Sequence, residues 1–205
     1  MPRPRFHKLP PAQQEAILRA AFDEFATHGF NSASLNRIID AAGISKGSMY
    51  YYFDGKEELY AHVARRELGR LFESAGPFPV PAARDPDGFW STLEDYYRRI
   101  MVALAASPKL AALARDWILA SSSPTLQQAQ KDMEGALVPW FQQTLVLGQR
   151  ARAVRKDVPA GLLIAVVFGM GQAMDTWVLT QELAPRNVRK QVRTFIGMFR
   201  RALEP

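Results

Sequence analysis

Residues 34–53 read SLNRIIDAAGISKGSMYYYF. Leu35, Ile38, Ile39 and Ala42 recur at i, i+3, i+4 and i+7, the spacing of an apolar stripe on a helix. Ser34 stands where an N-cap is wanted, because its hydroxyl accepts from a free first-turn N–H. Gly43 closes the segment, since glycine enters the left-handed conformation without a Cβ clash. Ser45 offers a second N-cap, and Lys46 to Phe53 supplies about two further turns. Short helix, glycine turn, short helix is the outline of a helix-turn-helix.

The faces of the second helix sharpen this reading. Met49, Tyr52 and Phe53 fall at i, i+3 and i+4 and point inward by spacing. Lys46 and Tyr50 share one outer line, and Gly47 and Tyr51 share the next. A cation, a glycine and two phenols on an open face suit a surface that meets phosphates and brings a backbone close to base edges. A tyrosine-rich helix that only packs on its neighbours has the same spacing, so periodicity leaves both readings open.

Gly29-Phe30, Ser34-Leu35, Ile38, the run Ala42 to Phe53 and Lys56-Glu57-Glu58-Leu59 resemble the tetracycline-repressor (TetR) family of transcriptional regulators, from about Ile17 to Val63. Ile39 departs from the pattern, which usually has a small residue there. The resemblance implies an all-α chain with two parts. Residues 1–55 are expected to form a three-helix DNA-binding domain with the helix-turn-helix, and residues 56–205 a larger helical effector-binding and dimerisation domain.

Composition agrees with a helical, globular chain. Of 205 residues, 48% are hydrophobic and 22% charged, and β-branched runs that alternate with polar residues are few. The net charge of +6 suggests nucleic acid, but residues 1–56 hold seven Lys/Arg against five Asp/Glu and supply only +2 of it. The local pattern therefore carries more weight than global charge. Cysteine is absent, which removes disulfides and thiolate zinc sites, and neither a metal nor a cofactor is expected. The basic start MPRPRFHKLPP lacks the apolar stretch of a signal peptide. The most apolar run, Leu162 to Met174, reads as too short to span a bilayer. The expectation is a cytoplasmic protein with no membrane partner.

Residues 1–10, with Arg3, Arg5 and Lys8, read as a solvated tail, the other reading being a basic arm along a DNA groove. A first helix is expected over Pro11 to His28, capped by Gly29. Asp54 with Glu57 resembles a capping box, and Lys56 then stands in a first turn, where the helix dipole disfavours a cation. A phosphate arriving at that helix end would explain the lysine. The helix it opens runs to about Ala75. Gly76 to Gly88, with four prolines, reads as a loop inside the second part. Five more helices are expected, over about 87–106, 108–121, 124–147, 159–181 and 185–203, each bounded by a breaker such as Gly148 or Pro159.

For DNA, the residues and the resemblance together nominate Ser34, Ser45, Lys46, Gly47, Ser48, Tyr50, Tyr51 and Lys56. Tyr52 is inward by spacing and a backbone contact by resemblance. For a small hydrophobic effector, the large soft residues of the second part nominate Trp117, Trp140 and Phe168, with Asp116 and Glu134 to orient a polar end. For a dimer, Gly161, Ala165 and Gly169 place small residues in an apolar helix. The resemblance adds Phe195, Ile196 and Phe199 from the last helix. The whole describes a regulator, most simply a repressor, that binds a palindromic double-stranded DNA operator as a homodimer and leaves it on binding an effector. Its rivals are a co-regulator that binds no DNA and a helical enzyme. His7, His28 and His62 are scattered, and no nucleophile–base pattern or phosphate loop accompanies them.

Overall fold

The computed structural model describes residues 2–81, 85–119, 123–181 and 184–205. Among these residues the chain is helical and contains no strand. A one-turn 3-10 helix, Phe6–Lys8, precedes α1 (Pro11–Ser32), α2 (Leu35–Ala42), α3 (Lys46–Tyr52) and α4 (Lys56–Ser74). Then come α5 (Pro86–Ala105), α6 (Pro108–Leu119), α7 (Pro124–Arg150), α8 (Ala160–Thr180) and α9 (Pro185–Leu203). The expected end of α6 at Ser121 lies outside the described residues.

Two compact units divide the chain: Met1–Arg70 with Pro108–Met133, and Leu71–Ser107 with Glu134–Pro205. The sequence boundary at residue 55 therefore falls differently. Most of α4, all of α6 and the start of α7 join the N-terminal helices, because α1 packs against α6 as well as α2. In this first unit Ile17, Phe25, Ile38, Met49, Phe53, Leu59, Tyr60, Val63 and Leu113 are buried and form one core. Ile39, the unusual residue of α2, is buried with them.

Glycine is obligatory at one point of α1. At Gly29 the helix kinks with φ 69° and ψ 169°, a conformation a side chain rarely adopts. A Cβ there would also stand 3.1 Å from Asp116 Oδ1. The expected helix end at His28 is thus a real break, after which Phe30 to Ser32 add one more turn.

In the second unit α5 lies along α9, and α8 packs on α9. Phe89, Trp90, Tyr96, Met101 and Leu104 face Val188, Val192, Phe195 and Ile196 as the apolar stripes of amphipathic helices. Gly148 was expected to end α7, yet the helix continues to Arg150. The glycine serves packing instead: a Cβ would come within 2.5 Å of Val154 Cγ2 and 2.7 Å of the Phe89 ring. Its carbonyl accepts from the N–H groups of Ala153 and Val154, folding the chain back. Arg152 turns through a positive φ of 59° in that bend.

α8 corrects the membrane argument drawn from sequence. Its 21 residues are long and apolar enough to cross a bilayer by length and composition. Leu163, Met174, Val178 and Leu179 are buried, while Leu162 and Trp177 remain more than half exposed.

Candidate nucleic-acid interface

The turn between α2 and α3 is built by local chemistry. Ser34 Oγ accepts from the Arg37 N–H at the start of α2, and Ser45 Oγ accepts from the Ser48 N–H at 3.0 Å at the start of α3. Between them Gly43 takes φ 65° and ψ 33°, and its N–H reaches the Asp40 and Ile39 carbonyls. Ser34 and Ser45 are thereby committed first to capping. The Ser45 and Ser48 hydroxyls also lie 2.9 Å apart.

α2 is pinned to α1 by a carboxylate the sequence reading missed. Glu24 accepts from the Ser34 N–H at 2.8 Å and from Arg37 Nε at 2.8 Å. The Arg37 guanidinium holds the Glu24 carboxyl below the usual carboxylate range. Only its distance from the motif hid it, since a lone Glu inside an amphipathic helix carries no signal.

α3 presents two different faces. Met49 and Phe53 are buried, so the helix is seated on the core by its inner side. Lys46, Gly47, Tyr50 and Tyr51 all face outward, with Tyr50 and Tyr51 each 47% exposed. Tyr52 is half-buried, with its ring 6.2 Å from Phe6 and 5.6 Å from Tyr51. Gly47 is helical and meets only Ser45 Oγ, at an ordinary 3.7 Å. Nothing within the fold requires a glycine there, although alanine would favour the helix by about 1 kcal/mol.

Residues 2–9 are not the solvated tail that was expected. Phe6 is 1% exposed, with its ring centroid 4.9 Å from Phe53 and 5.8 Å from His62. The Arg3 N–H donates to the Tyr52 carbonyl at 3.0 Å, and Arg3 Nη1 donates to the Tyr50 carbonyl at 3.1 Å. Arg3 also pairs with Asp54. The Arg5 guanidinium lies 4.1 Å over the Tyr51 ring. A lone Phe among prolines and cations was the one hint of this docking. Its partners lie some fifty residues away, beyond the reach of any periodicity.

Two expectations near α4 change. The capping contact is one residue out of register: Glu58, not Glu57, accepts from the Asp54 N–H, at 2.7 Å. Lys56 is spent internally, since its ammonium donates to the Asn31 and Ala33 carbonyls at 3.1 and 3.2 Å and sits 4.8 Å over the Phe30 ring. Closing the end of α1 accounts for a cation in that first turn without any phosphate.

The residues nominated for an effector are dispersed. Asp116 accepts from the Phe30 N–H at 2.8 Å and from the Tyr60 hydroxyl at 2.7 Å. It is a link between α6, the α1 kink and α4 within the first unit. Burial and that carboxylate push the Tyr60 phenol far above its ordinary range. Trp117 is buried beside Tyr60 in the same unit. Trp140 and Phe168 belong to the second unit, joined through Phe141 at centroid distances of 4.8 and 4.6 Å. The Trp140 indole donates to the Pro79 carbonyl at 3.0 Å. Glu134 is exposed. A cleft of about 280 Å³ in the first unit is bordered by His28, Gly29, Arg115, Asp116 and Leu119. Of the dimer candidates, Gly161, Ala165 and Gly169 are exposed, Phe199 is half-buried, and Phe195 and Ile196 are in the chain's own core. Among the described residues no group of three His, Asp or Glu side chains is placed to hold a metal ion.

Residues 17–63, which carry most of α1, the capped turn and the outward face of α3, match the model of bacterial regulatory proteins of the tetR family. Over those residues the chain is similar to that family. It is 29% identical over 126 residues to the HTH-type transcriptional regulator RutR of Escherichia coli, a stretch covering 62% of this chain and 57% of RutR. The HTH-type transcriptional repressor AcnR of Corynebacterium glutamicum is 34% identical over 64 residues, 31% of this chain and 34% of AcnR. The matched stretch thus spans little more than half the length of the first of these relatives and a third of the second. In architecture this chain is similar to a solved tetR family transcription regulator from Shewanella sp. PV-4, with a TM-score of 0.67 and 18% identity. That likeness covers 93% of this chain and 97% of the other, and at such identity it speaks for the fold. The all-α architecture with an N-terminal helix-turn-helix is therefore common to both.

Proposed function

We propose that this protein is a DNA-binding transcriptional regulator, a repressor that grips a palindromic operator as a homodimer and is released by a small hydrophobic effector. The observation that carries the reading is the outward face of α3: Lys46, Gly47, Tyr50 and Tyr51 exposed on a helix whose other side is locked by Met49 and Phe53. Lys46 and Tyr50 would approach the major-groove edges. Gly47 would let the backbone come close, and Tyr51 would hold a phosphate. Ser34 and Ser45 support the turn as caps and meet the DNA backbone at its rim, with Ser48 beside Ser45 at the start of α3. Lys56 supports the site from behind.

What α8 leaves open supports the dimer. Gly161, Leu162, Ala165, Val166, Gly169 and Trp177 form an exposed, largely apolar stripe on a helix whose opposite side packs on α9. A second copy of the same stripe would cover it and set two reading helices about 34 Å apart, as two half-sites require. The Trp140, Phe141 and Phe168 cluster is the favoured place for an apolar effector. Such a ligand acts if it binds better to the state whose reading helices miss the operator spacing.

The test is a gel-shift titration on a duplex enriched from a random-sequence pool by the intact protein. Lys46→Ala and Tyr50→Ala are each expected to weaken binding about tenfold, the effect of losing one good contact. Undiminished affinity in both variants would remove α3 from the interface. Effectors are sought by thermal stabilisation against hydrophobic metabolites, followed by release of the same duplex.

A further inference from the structure

We infer that residues 3–6 belong to the DNA-reading device, with Arg3 positioning α3 and Arg5, held over the Tyr51 ring, supplying a phosphate contact. The inference rests on the proposed DNA reading and adds residues that neither the helix-turn-helix nor the matched residues 17–63 contain.

α3 has only seven residues, so its register depends on what holds its ends. The last carbonyls of a helix have no partner inside it. Here the Tyr50 and Tyr52 carbonyls both receive hydrogen bonds from Arg3, one from its side chain and one from its backbone. A guanidinium at a helix C-terminus also meets the negative end of the dipole, and this one is further tied to Asp54. Arg3 is therefore a clamp that fixes where the reading helix stops and how it sits.

Phe6 anchors the other end of the segment by burial against Phe53, Tyr52 and His62. With both ends held, Arg5 is left outside and exposed, its guanidinium 4.1 Å over the centre of the Tyr51 ring on the open side of α3. Among the described residues no carboxylate pairs with it. A cation held over a ring face keeps its N–H donors free for an acceptor, which suits phosphate. A preorganised cation also loses less rotamer freedom on binding. Arg5 and Tyr51 together form one contact assembled from two distant parts of the chain.

The experiment uses the full chain and a duplex enriched from a random-sequence pool, with affinity measured at about 50 and about 200 mM salt. Arg5→Gln is expected to bind more weakly at both. Its salt dependence should be shallower by about one counterion, so its deficit shrinks about 3.5-fold at the higher salt. Arg5→Lys should keep the wild-type slope. Arg5→Gln and Tyr51→Ala should be non-additive in the double variant. Arg3→Ala should lose affinity severalfold with the slope unchanged and with faster hydrogen exchange of the α3 amides, the mark of a positioning residue. Wild-type affinity and slope in Arg5→Gln, together with weakened binding by Lys46→Ala, would overturn this inference and leave the DNA reading standing. Failure of the intact protein to enrich any duplex would overturn both. Melting curves of the Arg5 variants should match the wild type, because that side chain is exposed.

Discussion

Gly47 is a residue whose presence the fold itself does not explain. It sits in a helical conformation, on an open face, with no neighbour closer than ordinary contact. Gly47→Ala is expected to raise stability by up to about 1 kcal/mol in a thermal melt while weakening binding to the enriched duplex. A stabilised variant that binds as well or better would deny the close backbone approach. Asp116 shows the opposite case. Its nomination for an effector's polar end rested on charge within an aromatic region, but its oxygens are taken by the Phe30 N–H and the Tyr60 hydroxyl. Both donors lie far from it in sequence. No spacing rule separates a carboxylate that meets a ligand from one that ties helices together. Lys56 teaches the same lesson, since a cation at a helix start looked like a phosphate site until two backbone carbonyls claimed it.

At the scale of elements, α2 and α3 were legible almost to the residue. Serine caps, the Gly43 turn and the apolar stripes are all local signals, and they agree with one another. The 3-10 turn at Phe6–Lys8 was not, because its stability comes from tertiary burial of one side chain. Its docking has a pH signature. Burial, with His7, Arg65 and Arg66 nearby, pushes the His62 imidazole down to about 4 from its ordinary 6.5. Between those values the unfolded chain binds the proton that the folded chain refuses, so stability rises with pH across the window. The contribution is complete above about 6.5 and is lost as pH falls towards 4. Asp175, raised to about 6 by burial beside Tyr97, works the other way: its contribution falls as pH rises from 3.8 to about 6. Comparing wild type with His62→Gln isolates the first slope. The difference should be about 1–2 kcal/mol, less than the full shift implies because partial exposure screens it. Parallel pH profiles for the two proteins would count against a buried neutral imidazole under Phe6.

At the scale of the molecule, sequence read the all-α class and the helix order, but misplaced the division between parts. Breakers mark where helices end. They do not tell which helices share a core, and α6 shares one with α1. The small residues of α8 lie on an exposed face, whereas Phe195 and Ile196 are internal. If a second copy covers the α8 stripe, Val166→Glu should yield a monomer in sedimentation velocity. Duplex affinity should fall by at least tenfold, because one reading head then works alone. A dimer that survives this charge would place the partner elsewhere.

Trp177 makes such assembly visible without any label. Of the four tryptophans, Trp90 and Trp117 are buried, Trp140 is half-buried, and Trp177 is 53% exposed on the open side of α8. Iodide should quench its emission in the separated chain and lose access once two copies meet. Dilution would then report the association constant through the quenchable emission, with Trp177→Phe, which keeps only Trp90, Trp117 and Trp140, as the control.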